Sequence, residues 1–252
     1  MNSVHQGILR FSREENEIYT VGYSIINGDP EIQNGFGALL SPEEIGERNG
    51  FKYARRRKSF VLGRASAKLA IEQISGETPP SVITIDKGVF GFPIVKGISE
   101  RISVSISHCE SIGISIAYPD EHPVSVDIEK IDEERVALIE QYMTSEEMDL
   151  STKYCSSEIG AFLMWTAKES LSKILKTGLT LDFNVMSIKE IEEVSRGVYV
   201  STFTNFPQYK SVTFQTKKMV FSMVSPEKST FDLSSIIELK NQLVASEDRT
   251  DF

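Results

Sequence analysis

The sequence predicts an α+β fold. Strand-like and helix-like segments are mixed along the chain without the regular alternation of a parallel α/β protein. Ile102–Ser107 shows period-two patterning, whereas residues 54–74 carry Phe60, Ala67 and Ile71 at helical spacing. The 252 residues, 40% hydrophobic and 25% charged, supply a core and exclude collagen-like, low-complexity and wholly disordered classes. This length suits one large domain or two small ones. The turn at Asp120–Pro123 divides the chain into an N-terminal half, 1–121, and a C-terminal half, 122–252.

Residues 17–26 (EIYTVGYSII) alternate loosely and read as a strand. Ser41-Pro42-Glu43-Glu44 supplies an N-cap, a proline at the first helical position and acids in the first turn, so a helix begins there. A second helix spans about 54–74 and stops near Gly76, ahead of Pro79-Pro80. A short strand at 82–86 leads into the glycine-rich loop 88–93. Ile102, Val104 and Ile106 face one way and Ser103, Ser105 and Ser107 the other. Further strands follow at 112–117 and 124–129. Helices are expected at 133–142, after a cap at Thr144 or Ser145, and at 158–176. Strands return between 185 and 224, and a short helix at 235–243 precedes a polar tail. No internal repeat is legible.

With 27 Lys+Arg against 36 Asp+Glu the net charge is −9, which argues against a general nucleic-acid binder. The charge is uneven. Residues 51–70 hold Lys52, Arg55, Arg56, Arg57, Lys58, Arg64 and Lys68 without an acid, and are either an anionic-ligand site or a solvated helix face. Cys109 and Cys155 form neither a disulfide framework nor a CxxC site. The N-terminal residues lack the apolar region of a secretory signal. No apolar run approaches the roughly 18 residues of a membrane span. A cytoplasmic protein with no membrane contact is the expectation.

Three constellations carry chemistry. In Val124–Glu129, strand periodicity puts Ser125, Asp127 and Glu129 on one face. Paired carboxylates there are either a solvent-facing acid pair or hard oxygen donors for Mg²⁺, which takes one or two carboxylates and completes its octahedron with water and phosphate. Trp165, Glu169 and Lys173 are spaced i, i+4, i+8 on one side of an apolar helix. Glu169 and Lys173 read either as a surface ion pair or as a third metal carboxylate beside a phosphate-neutralising lysine. His108, after Ser107 at a strand end, is either a structural hydrogen-bonding group or a phosphate donor. His5 falls in a terminus without evident structure and His122 in a turn. A serine-hydrolase elbow, Walker A, HExxH and dinucleotide motifs are absent.

In order and spacing these pieces resemble the phosphopantetheinyl transferases of the surfactin-synthetase-activating (Sfp-like) type. The resemblance rests on Ser105-Ile106-Ser107-His108, on Val126-Asp127-Ile128-Glu129-Lys130, and on Trp165-Thr166-Ala167-Lys168-Glu169-Ser170 with Lys173 and Gly178-Leu179 following. Upstream, Gly91-Phe92-Pro93 is similar to the family's Gly-Lys-Pro loop, and Ser41-Pro42-Glu43-Glu44, Phe51 and Arg57…Phe60…Gly63-Arg64 to its first helical region. The likeness covers about 40–180. It implies two similar α+β halves related by a pseudo-twofold, with the active site in the cleft between them. It implies transfer of the 4′-phosphopantetheine arm of coenzyme A to a serine of an apo acyl, peptidyl or aryl carrier protein, releasing 3′,5′-ADP, by a monomer. By the same resemblance Asp127, Glu129 and Glu169 hold Mg²⁺, and Glu169 and Lys173 are catalytic. Arg48, Arg57, Arg64, Phe92, Ser107 and His108 then contact the coenzyme A nucleotide.

Several positions depart from the family pattern. Phe92 stands where a lysine is frequent, Glu47 where a basic contact is common with Arg48 beside it, and Ser125 where glycine is usual. Two other readings stay open: a Mg²⁺-dependent phosphohydrolase that uses the same acids with water as nucleophile, and, from the loss of basic residues at Glu47 and Phe92, a catalytically degenerate member that binds coenzyme A.

Overall fold

A computed structural model describes residues 3–13, 17–28, 34–76 and 78–248. The chain opens with β1 (Ser3–Ser12) and β2 (Ile18–Asn27), then α1 (Asn34–Gly37), α2 (Pro42–Gly50) and α3 (Ala54–Ser75). β3 (Thr84–Lys87), β4 (Pro93–Lys96), β5 (Ile102–Cys109) and β6 (Ile112–Pro119) follow. Next come β7 (Ser125–Lys130), α4 (Glu133–Glu140), α5 (Ser145–Ser151) and α6 (Ser157–Ile174). β8 (Ile188–Ser195), β9 (Val198–Phe203), β10 (Tyr209–Gln215) and β11 (Met219–Pro226) lead to β12 (Thr230–Phe231) and α7 (Leu233–Glu247). The class is α+β, as the sequence predicts. No helix among the described residues is long and apolar enough to cross a membrane.

The chain divides into two compact units, Met1–Pro123 with Thr230–Phe252, and Val124–Ser229. The break follows Pro123, at the end of the segment 120–123. The C-terminal residues differ: the sequence assigned them to the second half, and they return to the first. β12 pairs with β1 through Phe11↔Phe231, and the Tyr23 hydroxyl donates to Gln242 Oε1 at 3.1 Å. Ile236, Leu239 and Leu243, at i, i+3 and i+7, bury one stripe of α7. Of the polar tail expected after 243, residues 244–247 belong to α7, and 249–252 lie outside the described residues. His5 belongs to β1 opposite Ile25, rather than to an unstructured terminus.

In the first unit the sheet order is β12-β1-β2-β6-β5, every neighbouring pair antiparallel. Two glycines let α3 lie close on it. A Cβ at Gly22 would meet Ala70 O at 2.2 Å, and one at Gly113 would meet Leu62 O at 3.2 Å. Tyr23, on the alternate face of β2, meets α7, so β2 is covered on both sides and its residues Val21–Asn27 are all buried. In the second unit the order is β7-β11-β10-β9-β8. α6 is capped by Ser156, whose hydroxyl accepts from Ile159 N, and buries Phe162, Met164, Ala167 and Leu171 in the core with Val220 and Val224. Gly160 admits α5 to α6, since a Cβ there would lie 2.2 Å from Ser151 O.

An internal repeat emerges that the sequence did not disclose. In both units a strand is followed by a capped short helix, a long helix and further strands, the last of which returns to pair with the first: β2-β6-β5 and β7-β11-β10. Each short helix begins with a complete capping box, Ser41 with Glu44 and Thr144 with Glu147. Each capping glutamate is buried and ion-paired to a buried lysine of the long helix, Glu44 to Lys68 and Glu147 to Lys168. Each lysine also donates to the backbone two residues before the cap, Lys68 to Leu39 O at 2.7 Å and Lys168 to Tyr142 O at 2.9 Å. The remaining oxygens accept from Ile85 N at 3.0 Å and Ile188 N at 2.8 Å, both 41 residues on. One carboxylate thus ties a helix cap, a long helix and a strand in each unit. Burial pulls both lysines below their ordinary range while the paired glutamate opposes it.

Candidate functional site

β7 is an edge strand, and its alternation sends Ser125, Asp127 and Glu129 towards α6. Ser125 Oγ donates to Ser170 O at 2.6 Å, and Ser170 Oγ donates to Ser125 O at 3.1 Å. Where the family pattern has glycine, this serine fastens strand to helix. One turn on, Lys173 Nζ donates to Val126 O at 2.9 Å and to Asp127 Oδ1 at 2.7 Å. Glu169 adjoins Ser170 and lies one turn before Lys173 on the same helix. Carboxylate oxygens of Asp127, Glu129 and Glu169 lie within 4.8 Å of one another. Trp165, one turn before Glu169, stacks on Phe183 at 4.6 Å and meets Tyr142 at 5.5 Å, bracing this end of the helix.

Electrostatics follow from the crowding. Burial, then the charges of Asp127 and Glu129, push the Glu169 carboxyl up to about 9. Burial also raises Glu129, against the pull of Arg135, whose Nη1 donates to Glu129 Oε2 at 2.6 Å. Lys173 thus pairs with Asp127 and Arg135 with Glu129, while burial and the neighbouring carboxylates favour the protonated form of Glu169. Three converging hard oxygen donors of this kind fit a small divalent cation such as Mg²⁺. Arg135 was not singled out from sequence. Its signal is weak, a lone arginine six residues past Glu129, reached because Asp132 caps α4 and turns the chain back.

The other sequence-nominated residues lie in the first unit. Arg64 is buried, 3.6 Å from Glu44 and 4.8 Å from the Phe60 ring centroid. Burial lowers its guanidinium from the ordinary value, against the charges of Glu44 and Glu47. Arg57 Nη1 donates to Phe51 O at 3.0 Å, closing the loop before α3. Arg48 binds Asn49 Oδ1 at 2.9 Å, while Glu47 is ion-paired to Lys87. Arg48 and Glu47 therefore have separate partners, as expected for neighbours about 100° apart on a helix. Phe92 folds back onto its own hairpin, where a Cβ on Gly88 would meet its ring at 2.4 Å. Ser107 and His108 are consecutive on β5 and leave it on opposite faces, Ser107 buried and His108 exposed. His108 shares its face with Ile106, which abuts Gly63 of α3. The basic island is divided: Arg55 and Arg56 are exposed, whereas Lys68 is committed to Glu44.

Residues 123–224 match the model of the 4′-phosphopantetheinyl transferase superfamily, a segment that contains Asp127, Glu129, Glu169 and Lys173. No curated protein matches the chain. Among solved structures, a holo-(acyl-carrier-protein) synthase from Bacillus anthracis str. Ames, in complex with CoA (3′,5′-ADP), is similar at 23% identity. That match covers 43% of this chain and 96% of the synthase, with a TM-score of 0.36.

Proposed function

We propose that this chain is a 4′-phosphopantetheinyl transferase, moving the phosphopantetheine arm of coenzyme A to a serine of an apo carrier protein and releasing 3′,5′-ADP. The observation that carries the reading is the convergence of Asp127, Glu129 and Glu169 within 4.8 Å, inside the segment matching the superfamily model. Lys173 lies against the same cluster, 2.7 Å from Asp127.

The step is a phosphoryl transfer, in which catalysis is chiefly positioning and charge stabilisation. Asp127, Glu129 and Glu169 would hold Mg²⁺. When bound, the cation supplies charge neutralisation at the pyrophosphate of coenzyme A and a more electrophilic phosphorus. Glu169, directly or through a water, accepts the proton of the carrier serine, a contribution of about 10²–10⁴-fold for general base catalysis. Lys173 lends positive charge to the transferring group from a fixed position, since Val126 O and Asp127 hold its ammonium. Ser125 and Ser170 keep β7 and α6 at constant separation, so that Asp127 and Glu169 stay convergent. In the first unit His108 and Arg64 are the proposed contacts to the nucleotide, with Arg57 shaping the loop beside them.

Intact-mass measurement of apo carrier proteins of several classes, after incubation with coenzyme A and Mg²⁺, tests this reading. The expected result is a gain of one phosphopantetheine that EDTA abolishes. Cleavage of coenzyme A without a gain in carrier mass would support the phosphohydrolase instead. Binding of coenzyme A without either reaction would mark a degenerate member.

A further inference from the structure

Phe51 and Phe60 form an edge-on pair, centroids 5.2 Å apart, and three cations gather on it. Arg56 lies 5.2 Å from the Phe51 centroid and Arg64 4.8 Å from that of Phe60. Lys87 Nζ lies 5.9 Å from the Phe51 centroid and 6.0 Å from that of Phe60. Three like charges around two rings repel one another, and the acids nearby do not answer them all. Glu44 is already occupied by Lys68, Ile85 N and Ser41 N. Arg64, more than nine-tenths buried, consequently has Nε and Nη2 without a hydrogen-bond acceptor among the described residues. A buried guanidinium in that condition is costly unless an anion completes it. Glu47 is the one acid ion-paired to Lys87 among the described residues, and that pair is solvent-accessible, so its carboxylate is exchangeable.

The position of Lys87 gives this cluster meaning. It ends β3 directly across the hairpin from Pro93, the residue after Phe92. Phe92 brings no cation to this loop, and its ring is spent covering Gly88. The positive charge absent at Phe92 is present one strand away.

We propose that Lys87 is the specificity-determining cation of the first unit, and that with Arg64 it takes a phosphate group of the coenzyme A nucleotide in exchange for Glu47. The inference rests on the transferase reading and extends it to a residue outside the family pattern. Glu47 acts as a latch: it holds Lys87 on the rings in the free protein and competes with the incoming phosphate.

Calorimetric titration of the full chain with coenzyme A and with 3′-dephospho-coenzyme A tests it, using the native chain, Lys87→Met and Glu47→Gln. Lys87→Met should weaken coenzyme A about tenfold, the size of one charge-assisted hydrogen bond, and Glu47→Gln should tighten it about threefold. A loss confined to coenzyme A assigns Lys87 to the 3′-phosphate; an equal loss for both ligands assigns it to the pyrophosphate. Native binding that survives unchanged in Lys87→Met overturns the proposal and leaves the transferase reading standing. Failure of the native chain to bind either ligand overturns both.

Discussion

Replacing Lys168 with methionine isolates the strut that holds α5, α6 and β8 together. Lys168 Nζ is 2.6 Å from Glu147 Oε2, and both side chains are almost fully buried. After the substitution Glu147 keeps two backbone donors, Thr144 N at 2.9 Å and Ile188 N at 2.8 Å, but no ion-paired cation among the described residues. Stranding a buried charge in this way costs about 3–5 kcal/mol. The equivalent Lys68→Met leaves Glu44 with Arg64 at 3.6 Å, so a smaller loss of about 1–3 kcal/mol is expected. Glu147→Gln combined with Lys168→Met removes the stranded charge and should recover about 2 kcal/mol of the single-variant loss. Urea unfolding followed by the fluorescence of Trp165, the sole tryptophan and a residue of the same helix, measures the second-unit variants. Circular dichroism serves Lys68→Met. A Lys168→Met variant within about 1 kcal/mol of native, or a double variant no better than the single, would refute the strut.

Three further outcomes follow from the structure. Glu169, raised from 4.5 to about 9, holds a proton in the folded chain that the unfolded chain releases between those values. The metal-free protein should therefore lose stability as pH rises from 4.5 towards 9, and Mn²⁺ binding at pH 7 should release about one proton, seen as buffer-dependent calorimetric heat. Glu169→Gln should abolish both effects. His122, stacked 4.7 Å from Tyr19 and 4.8 Å from Phe11, is lowered by burial from 6.5 to about 4. Its contribution is complete above 6.5 and lost as pH falls to 4, about 3 kcal/mol that His122→Phe should make pH-independent in acid unfolding. Gly160→Ala drives a Cβ to 2.2 Å from Ser151 O and should cost about 1–3 kcal/mol by separating α5 from α6, measured by urea unfolding.

Locally encoded features were legible in the sequence. The caps at Ser41 and Thr144 announce their helices because each satisfies its own first turn. The Ile/Ser alternation of β5 and the DxE pair on β7 need only strand period, and Glu169 with Lys173 only helical spacing. β1 escaped notice because Leu9 and Phe11 are buried while the rest of SVHQGILRFS is mixed, and β12 is two residues long. The buried ion pairs were hidden for a different reason. Lys68 and Lys168 look like surface charges until the distant glutamates that neutralise them are brought near, and with them goes the repeat. Lys87, Glu47 and Arg135 likewise acquire roles through partners that tertiary structure supplies.

The central claim is that β7 and α6 together build a divalent metal centre for coenzyme A. Anomalous diffraction from crystals soaked with Mn²⁺ and coenzyme A tests it most directly. The expected result is one strong site about 2.1 Å from oxygens of Asp127, Glu129 and Glu169, shared with a pyrophosphate oxygen of coenzyme A. Coenzyme A bound with no manganese at these carboxylates, or manganese held elsewhere, would contradict the account.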